Sequence, residues 1–244
     1  MTARGIDLSA GPHDDEPHQG GLNNRLNWLR ASVLGANDGI VSTAGIVIAA
    51  VGATSDRSAI VIAGVAGLAA GAMSMGAGEY VSVSTQRDSE LALLATERRE
   101  LRDEPDEELA ELAGIYVEKG LDEELALEVA TALTAKDALG AHAEAELGID
   151  PDDIASPWQA AGASMLSFTI GALLPLLTMT LGAPDHRLWL TVAAVVAALA
   201  FTGFASARLG YARPGPAVLR NIAGGVFAMA VTYGIGSALG TQIG

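Results

Sequence analysis

Hydrophobic positions along this chain fall into long blocks rather than short alternating stretches. Five segments of Ala, Gly, Val, Leu and Ile carry few charges: roughly 31 to 54, 59 to 85, 157 to 181, 187 to 209 and 216 to 240. A bilayer core takes about 20 predominantly apolar residues per helix, and each block reaches that length. All are rich in Gly and Ala, which let helices approach closely in lipid. Between the second and third blocks the pattern changes. Val81 to Arg102 contains neither Gly nor Pro, so the second helix runs on beyond its apolar part as one rod, and Pro105 ends it. Asp106 to Lys119 reads as a helix with Leu109, Leu112 and Val117 apolar, closed by Gly120. Asp122 caps a further helix through about Leu133. Thr134 or Ala135 opens another that stops at Leu147 and Gly148, and Asp150, Pro151, Asp152 and Asp153 lead back to Pro157. Short helices joined by short turns predict a compact helical lobe on the end of the rod.

The expected fold is therefore all-α: a polytopic membrane protein with five transmembrane helices and a helical lobe inserted between spans 2 and 3. Composition agrees, with 50% hydrophobic residues and a mean hydropathy of +0.34 over 244 residues. Charge is segregated. Residues 86 to 153 hold 21 of the 29 Asp and Glu and 6 of the 14 Lys and Arg, so the whole net charge of −15 lies there and the remainder is neutral. So acidic a chain is not expected to bind nucleic acid. Arg25, Arg30, Arg87, Arg208, Arg213 and Arg220 flank the spans on one side, against Arg57 and Arg187 on the other. Because cytoplasmic flanks accumulate Arg and Lys, the N-terminus and the acidic insert are expected in the cytosol and the C-terminus outside. Residues 1 to 21 read as a disordered tail without the apolar core of a signal peptide. His13 and His18 in it can bind metal weakly, although a solvated tail is the simpler reading. The organisation is then a tail, spans 1 and 2 over 22 to 87, an acidic domain over 88 to 153, and spans 3 to 5 over 154 to 244.

Zero cysteine removes disulfides and thiolate sites, and carboxylates in this number point to a hard or borderline divalent cation. Glu97 and Glu100, Glu108 and Glu111, and His142 and Glu146 are spaced to project in pairs from single helix faces. Pairs converging from several helices are how di-iron bundles hold their metals. A solvated acidic face also produces such pairs, because Glu is a strong helix former. Total charge favours the ligand reading, since bound cations relieve the repulsion. Binding to these carboxylates is expected to weaken as pH falls toward about 4 to 5.

Two carboxylates lie in the apolar blocks, Asp38 in Asn37-Asp38-Gly39 and Glu79 in Gly78-Glu79-Tyr80. An ionisable group on a membrane helix costs about 2.5 to 3.5 kcal/mol at the centre, so it normally faces a partner or a water-filled path. Glu79 is closer to the interface, where simple solvation serves equally well. Met73 and Met75 sit among small residues; packing is the usual role of Met, and a thioether beside a carboxylate also suits Fe(II) or a neighbouring transition metal. Asn37, Ser42, Thr43 and Ser74 add neutral oxygens, and Pro175 either frees a backbone carbonyl or only kinks its helix.

Three features together resemble the vacuolar iron transporter family in its bacterial branch, over residues 22 to 244: Asn37-Asp38-Gly39-Ile40-Val41-Ser42-Thr43, the run Ala70 to Tyr80, and an acidic insert before three further spans. The resemblance implies a homodimer in a bacterial plasma membrane that exports cytosolic Fe(II) and often Mn(II) in exchange for protons, without a prosthetic group. It assigns the membrane path to Asp38 and Met75, and lobe ligands to Glu97, Glu100, Glu108, Glu111 and Glu146. Two positions depart from it. A methionine pair found in the family is here His142 and Ala143, so nitrogen replaces sulfur. A glutamate that some members carry midway along the second span is here Gly67, which leaves Glu79 as the nearest proton-relay candidate. The expected mechanism is capture on the lobe, transfer to Asp38 and Met75, and release as Asp38 takes a proton. The alternative is a membrane-anchored ferroxidase, iron-storage or metal-sensing protein without transport.

Overall fold

The computed structural model describes residues 19 to 243, with side chains described from Ser32 to Gly240. Of the expected tail, residues 1 to 18, with His13 and His18, lie outside the described residues. Among those described, helix is the only regular structure. The order is α1 (Gln19–Ala53), α2 (Arg57–Asp103), α3 (Pro105–Glu118), α4 (Glu123–His142), a π-helical turn (Ala143–Leu147), α5 (Pro157–Leu181), α6 (Arg187–Leu209) and α7 (Pro214–Ile243). Five of these, α1 over Ser32–Ala53, α2, α5, α6 and α7, are long and apolar enough to cross a membrane. As the lack of Gly and Pro predicts, α2 continues unbroken to Asp103. The described residues divide into two compact units, one formed by those up to 76 together with those from 162 on, the other by residues 77 to 161.

The first unit is built around α1. One core joins Ile40, Ala44, Val47 and Ile48 of α1 to Ile60, Leu176, Met179, Val195, Leu199 and Met229. Lipid tails are as apolar as these side chains, so close backbone approach, rather than escape from water, must hold the helices together. Small residues provide it. Gly171 of α5 lies against the Ala36 backbone, Gly236 of α7 against that of Ala49, and Gly52 of α1 meets the Tyr233 carbonyl at 3.0 Å from where a Cβ would stand. At Gly39 an added Cβ would fall on the Phe168 carbonyl. Gly39→Ala is therefore expected to lower the apparent melting temperature in detergent, by about 1 to 3 kcal/mol of overpacking; an unchanged melt would show that α5 can simply move aside. Facing outward, Leu34, Ile62, Leu166, Phe201 and Phe227 are each at least 60% exposed, a surface fit for lipid or for another apolar partner. The two arginines on the sparsely charged side are engaged at helix ends. Arg57 donates to the Thr180 carbonyl in the last turn of α5, one of those a helix terminus leaves unpaired, and the buried Arg187 donates to the Ser55 carbonyl in the link between α1 and α2 at 3.5 Å.

The second unit contains the rest of α2, with α3, α4 and the π-turn. Leu94, Leu112, Ala126, Ala130 and Ala143 are fully buried. Pro105 opens α3, Gly120 closes it at φ 103°, and the Asp122 carboxylate accepts the Leu125 N–H at 3.0 Å, as the local signals predict. Two expectations change. Val117 is exposed, and Tyr116 packs against the core in its place. The break expected at Thr134 or Ala135 lies at Asp137, because the Asp137 carboxylate, rather than a threonine hydroxyl, takes the free N–H of the restarting helix.

Candidate metal centre

The centre is built from three helices of the second unit. His142, at the end of α4, has a side chain with no exposed surface, and its Nδ1 stands 3.0 Å from Glu97 Oε1 of α2 and 3.4 Å from Glu108 Oε2 of α3. Glu97 is 3% and Glu108 6% exposed. Each of the three offers a ligand atom, all lying within 4.8 Å of one another. Despite the short approach, neither imidazole nitrogen and not Glu97 Oε1 makes a hydrogen bond. Buried polar atoms left unpaired cost free energy, and proteins pair the large majority of them. Two carboxylate oxygens and one imidazole nitrogen converging in a buried space match the donor preference of Mn(II), Fe(II) and their neighbours.

Glu100, Glu111 and Glu146 are exposed and near enough to act on this trio. Burial first, then the charges of Glu146 and Glu108, push the Glu97 carboxyl up to about 7. Glu108 is raised by burial and then by Glu111 and Glu100; Glu146 is raised by burial and by the same two residues. Burial lowers the His142 pKa against an opposing pull from Glu111, which favours the neutral imidazole, the form able to ligate a metal. All six residues expected from helical spacing thus fall in one electrostatic cluster, three in contact and three around them.

The intramembrane candidates lie on α1 and α2. Asp38 is half-buried and accepts a hydrogen bond from Ser42 Oγ one turn on at 2.7 Å. Half-buried Met75 packs against Ala72, Phe168 and Ala172, whereas Met73 is 71% exposed and Ser74 is exposed. Thr43 is fully buried with its hydroxyl unpaired. Glu79 is half-buried and sits beside Tyr80, whose ring centroid lies 4.7 Å from that of Trp158. At Gly67 a side chain would run into Ile46 of α1, so Ile46 takes up the room that a longer residue there would need. Sequence reasoning passed over Thr202 and Asn221. Thr202 Oγ1 donates to Asn37 Oδ1 at 2.6 Å, and Asn221 Nδ2 approaches Thr202 Oγ1 at 3.5 Å, a polar tie among α1, α6 and α7 one residue from Asp38. A lone amide in the apolar run of α7 was the available signal.

The profile of the VIT family matches residues 29–237, from within α1 to within α7. The chain belongs to the VIT family. Relatives of this family member include a vacuolar iron transporter of Acanthamoeba castellanii, 42% identical over 227 residues, which are 91% of this chain and 82% of that protein. It is similar as well to vacuolar iron transporter homolog 1 of Oryza sativa subsp. japonica, at 38% identity over 94% of this chain and 82% of the relative. A protein of the same name from Arabidopsis thaliana is 35% identical over 89% of this chain and 86% of its own length. The family match includes both Asp38 and the residues that form the acidic cluster.

Proposed function

We propose that this VIT-family protein exports divalent iron, manganese or both across a membrane in exchange for protons. Glu97, Glu108 and His142 capture the ion, with Glu100, Glu111 and Glu146 concentrating it. Asp38 and Met75 receive it in the membrane, and Glu79 serves proton movement. The protein works as a homodimer with its N-terminus and acidic unit in the cytosol and its C-terminus outside; in a bacterium the membrane is the plasma membrane. The observation that carries this reading is the buried convergence of donor atoms within 4.8 Å. The printed names of the relatives support iron as cargo. A carboxylate on a membrane helix can hold either a cation or a proton, which exchange requires. A di-iron oxidase draws a Glu-x-x-His motif from each of two helices, and His142 is the sole histidine of residues 77 to 161.

Purified protein in sealed vesicles tests the proposal. In the population whose acidic unit is open to added protease, Fe(II) and Mn(II) supplied on that side are expected to enter the lumen and drive protons outward. Co(II) and Zn(II) run in parallel read the selectivity. Metal bound at the membrane without entering the lumen would favour the anchored binding protein instead.

A further inference from the structure

We propose that Asp137 is a positioning residue for the metal centre: its carboxylate breaks α4 and restarts it in the register that brings His142 to Glu97 and Glu108. The inference rests on the reading that these three residues hold a divalent ion.

Of the residues right at the break, only Asp137 itself favours one. Ala135 and Lys136 precede Asp137, Ala138 and Leu139 follow it, and all four are good helix formers. Yet Asp137 is extended, at φ −160° and ψ 91°, while the residues on both sides are helical. Its Oδ1 accepts the Gly140 N–H at 3.0 Å, the bond by which an N-cap begins a helix. Gly140 suits that bond, because a Cβ there would fall on the Asp137 carboxylate. Asp137 is itself exposed, so burial of its own side chain does not explain the geometry. His142 follows two residues after the capped N–H, and a π-helical turn takes over at Ala143. Gly148 at φ 65° closes that turn, with the Ile149 N–H bonded to the Ala143 carbonyl at 2.8 Å. The segment bearing His142 and Glu146 is thus framed by two departures from α geometry. Such π-turns are frequent at functional sites.

The displacement is large on the scale of a metal site. An extended residue advances the chain by about 3.3 Å, against about 1.5 Å for a helical one, and it changes the rotation as well. A regular helix through position 137 would leave the imidazole roughly 2 Å out of place, where metal–ligand distances tolerate about 0.2 Å.

The test uses the full-length protein in detergent with Co(II) as probe, reading both the affinity of the tightest site and the paramagnetically shifted imidazole resonances of a bound histidine. Asp137→Ala is expected to weaken that site at least about tenfold, the usual cost of losing a group that orients a ligand, and to remove the imidazole resonances. Asp137→Asn keeps the cap and is expected to behave as wild type. Asp137→Glu keeps the charge but caps poorly and favours a continuous helix more than Asp does, so it should fail as Ala does even if Ala also loosens the fold. On a His142→Ala background, Asp137→Ala should add no further loss, which separates positioning from general destabilisation. Wild-type affinity and retained resonances in Asp137→Ala and Asp137→Glu would overturn the positioning role alone. Absence of any imidazole resonance in the wild type would overturn the site reading and this inference with it.

Discussion

Asp38→Asn is expected to abolish movement of Fe(II) and Mn(II) into sealed vesicles while leaving the protein folded and the acidic unit able to bind metal. The substitution keeps size and polarity and removes the negative charge together with the titratable proton. Asp38 accepts a hydrogen bond from Ser42 Oγ at 2.7 Å. An asparagine oxygen can accept the same bond, so local structure has no reason to collapse. What is lost is the ability to hold a divalent cation and a proton in alternation, and with it both flux and coupling. The expected readout is flux at background in a preparation whose melting temperature and metal stoichiometry match wild type. Met75→Leu, which keeps side-chain volume against Ala72, Phe168 and Ala172, should reduce flux less completely and more for the softer ions. Wild-type flux with wild-type proton dependence in Asp38→Asn would show that the ion does not pass this carboxylate, and the anchored-binding alternative would then gain.

Binding of Mn(II) by the acidic unit is expected to weaken on the order of tenfold between pH 8 and pH 6, because one proton must leave Glu97 for the ion to bind. The window differs from the one that sequence reasoning places near pH 4 to 5, because burial and the neighbouring carboxylates lift Glu97 to about 7. Folding stability is a poorer readout than binding. Glu97, with a raised pKa, contributes stability that is complete below its ordinary value of 4.5 and is lost as pH rises through about 7. His142, with a lowered pKa, contributes in the opposite sense: its share is present above its ordinary value of 6.5 and is lost as the solution turns acid. The two slopes oppose each other in a melt, whereas both protonations oppose the ion. Titration calorimetry at stepped pH is the measurement, and Glu97→Gln should bind weakly and flatten the pH dependence over this window. Replacing Glu97, Glu100, Glu108, Glu111 and Glu146 together by Gln should remove most of the stoichiometry; a retained stoichiometry would return these residues to a solvated acidic face.

How much was legible beforehand depended on how local each signal is. A run of apolar residues long enough to cross a bilayer is a property of one segment, so five helices could be counted from the chain alone. Caps act across three or four residues, which is why Pro105, Gly120, Asp122 and Gly148 mark boundaries that the structure keeps. Helical spacing, likewise local, put Glu97, Glu100, Glu108, Glu111, His142 and Glu146 on candidate faces. Burial was not legible, because it depends on which faces meet. Only the packing of α2, α3 and α4 leaves His142, Glu97 and Glu108 enclosed with Glu100, Glu111 and Glu146 outside, and only that enclosure lifts Glu97 to about 7. The break at Asp137 escaped for a related reason: Thr134 and Asp137 are both competent caps, and local energies alone do not choose between them. The tie from Asn37 to Thr202 spans 165 positions, and the contact of Gly39 with Phe168 joins two different helices. The sequence determined which segments are helical and which residues carry donor atoms suited to a cation. Tertiary structure decided which of those residues share one buried space, since desolvation and distance exist only once the helices have packed.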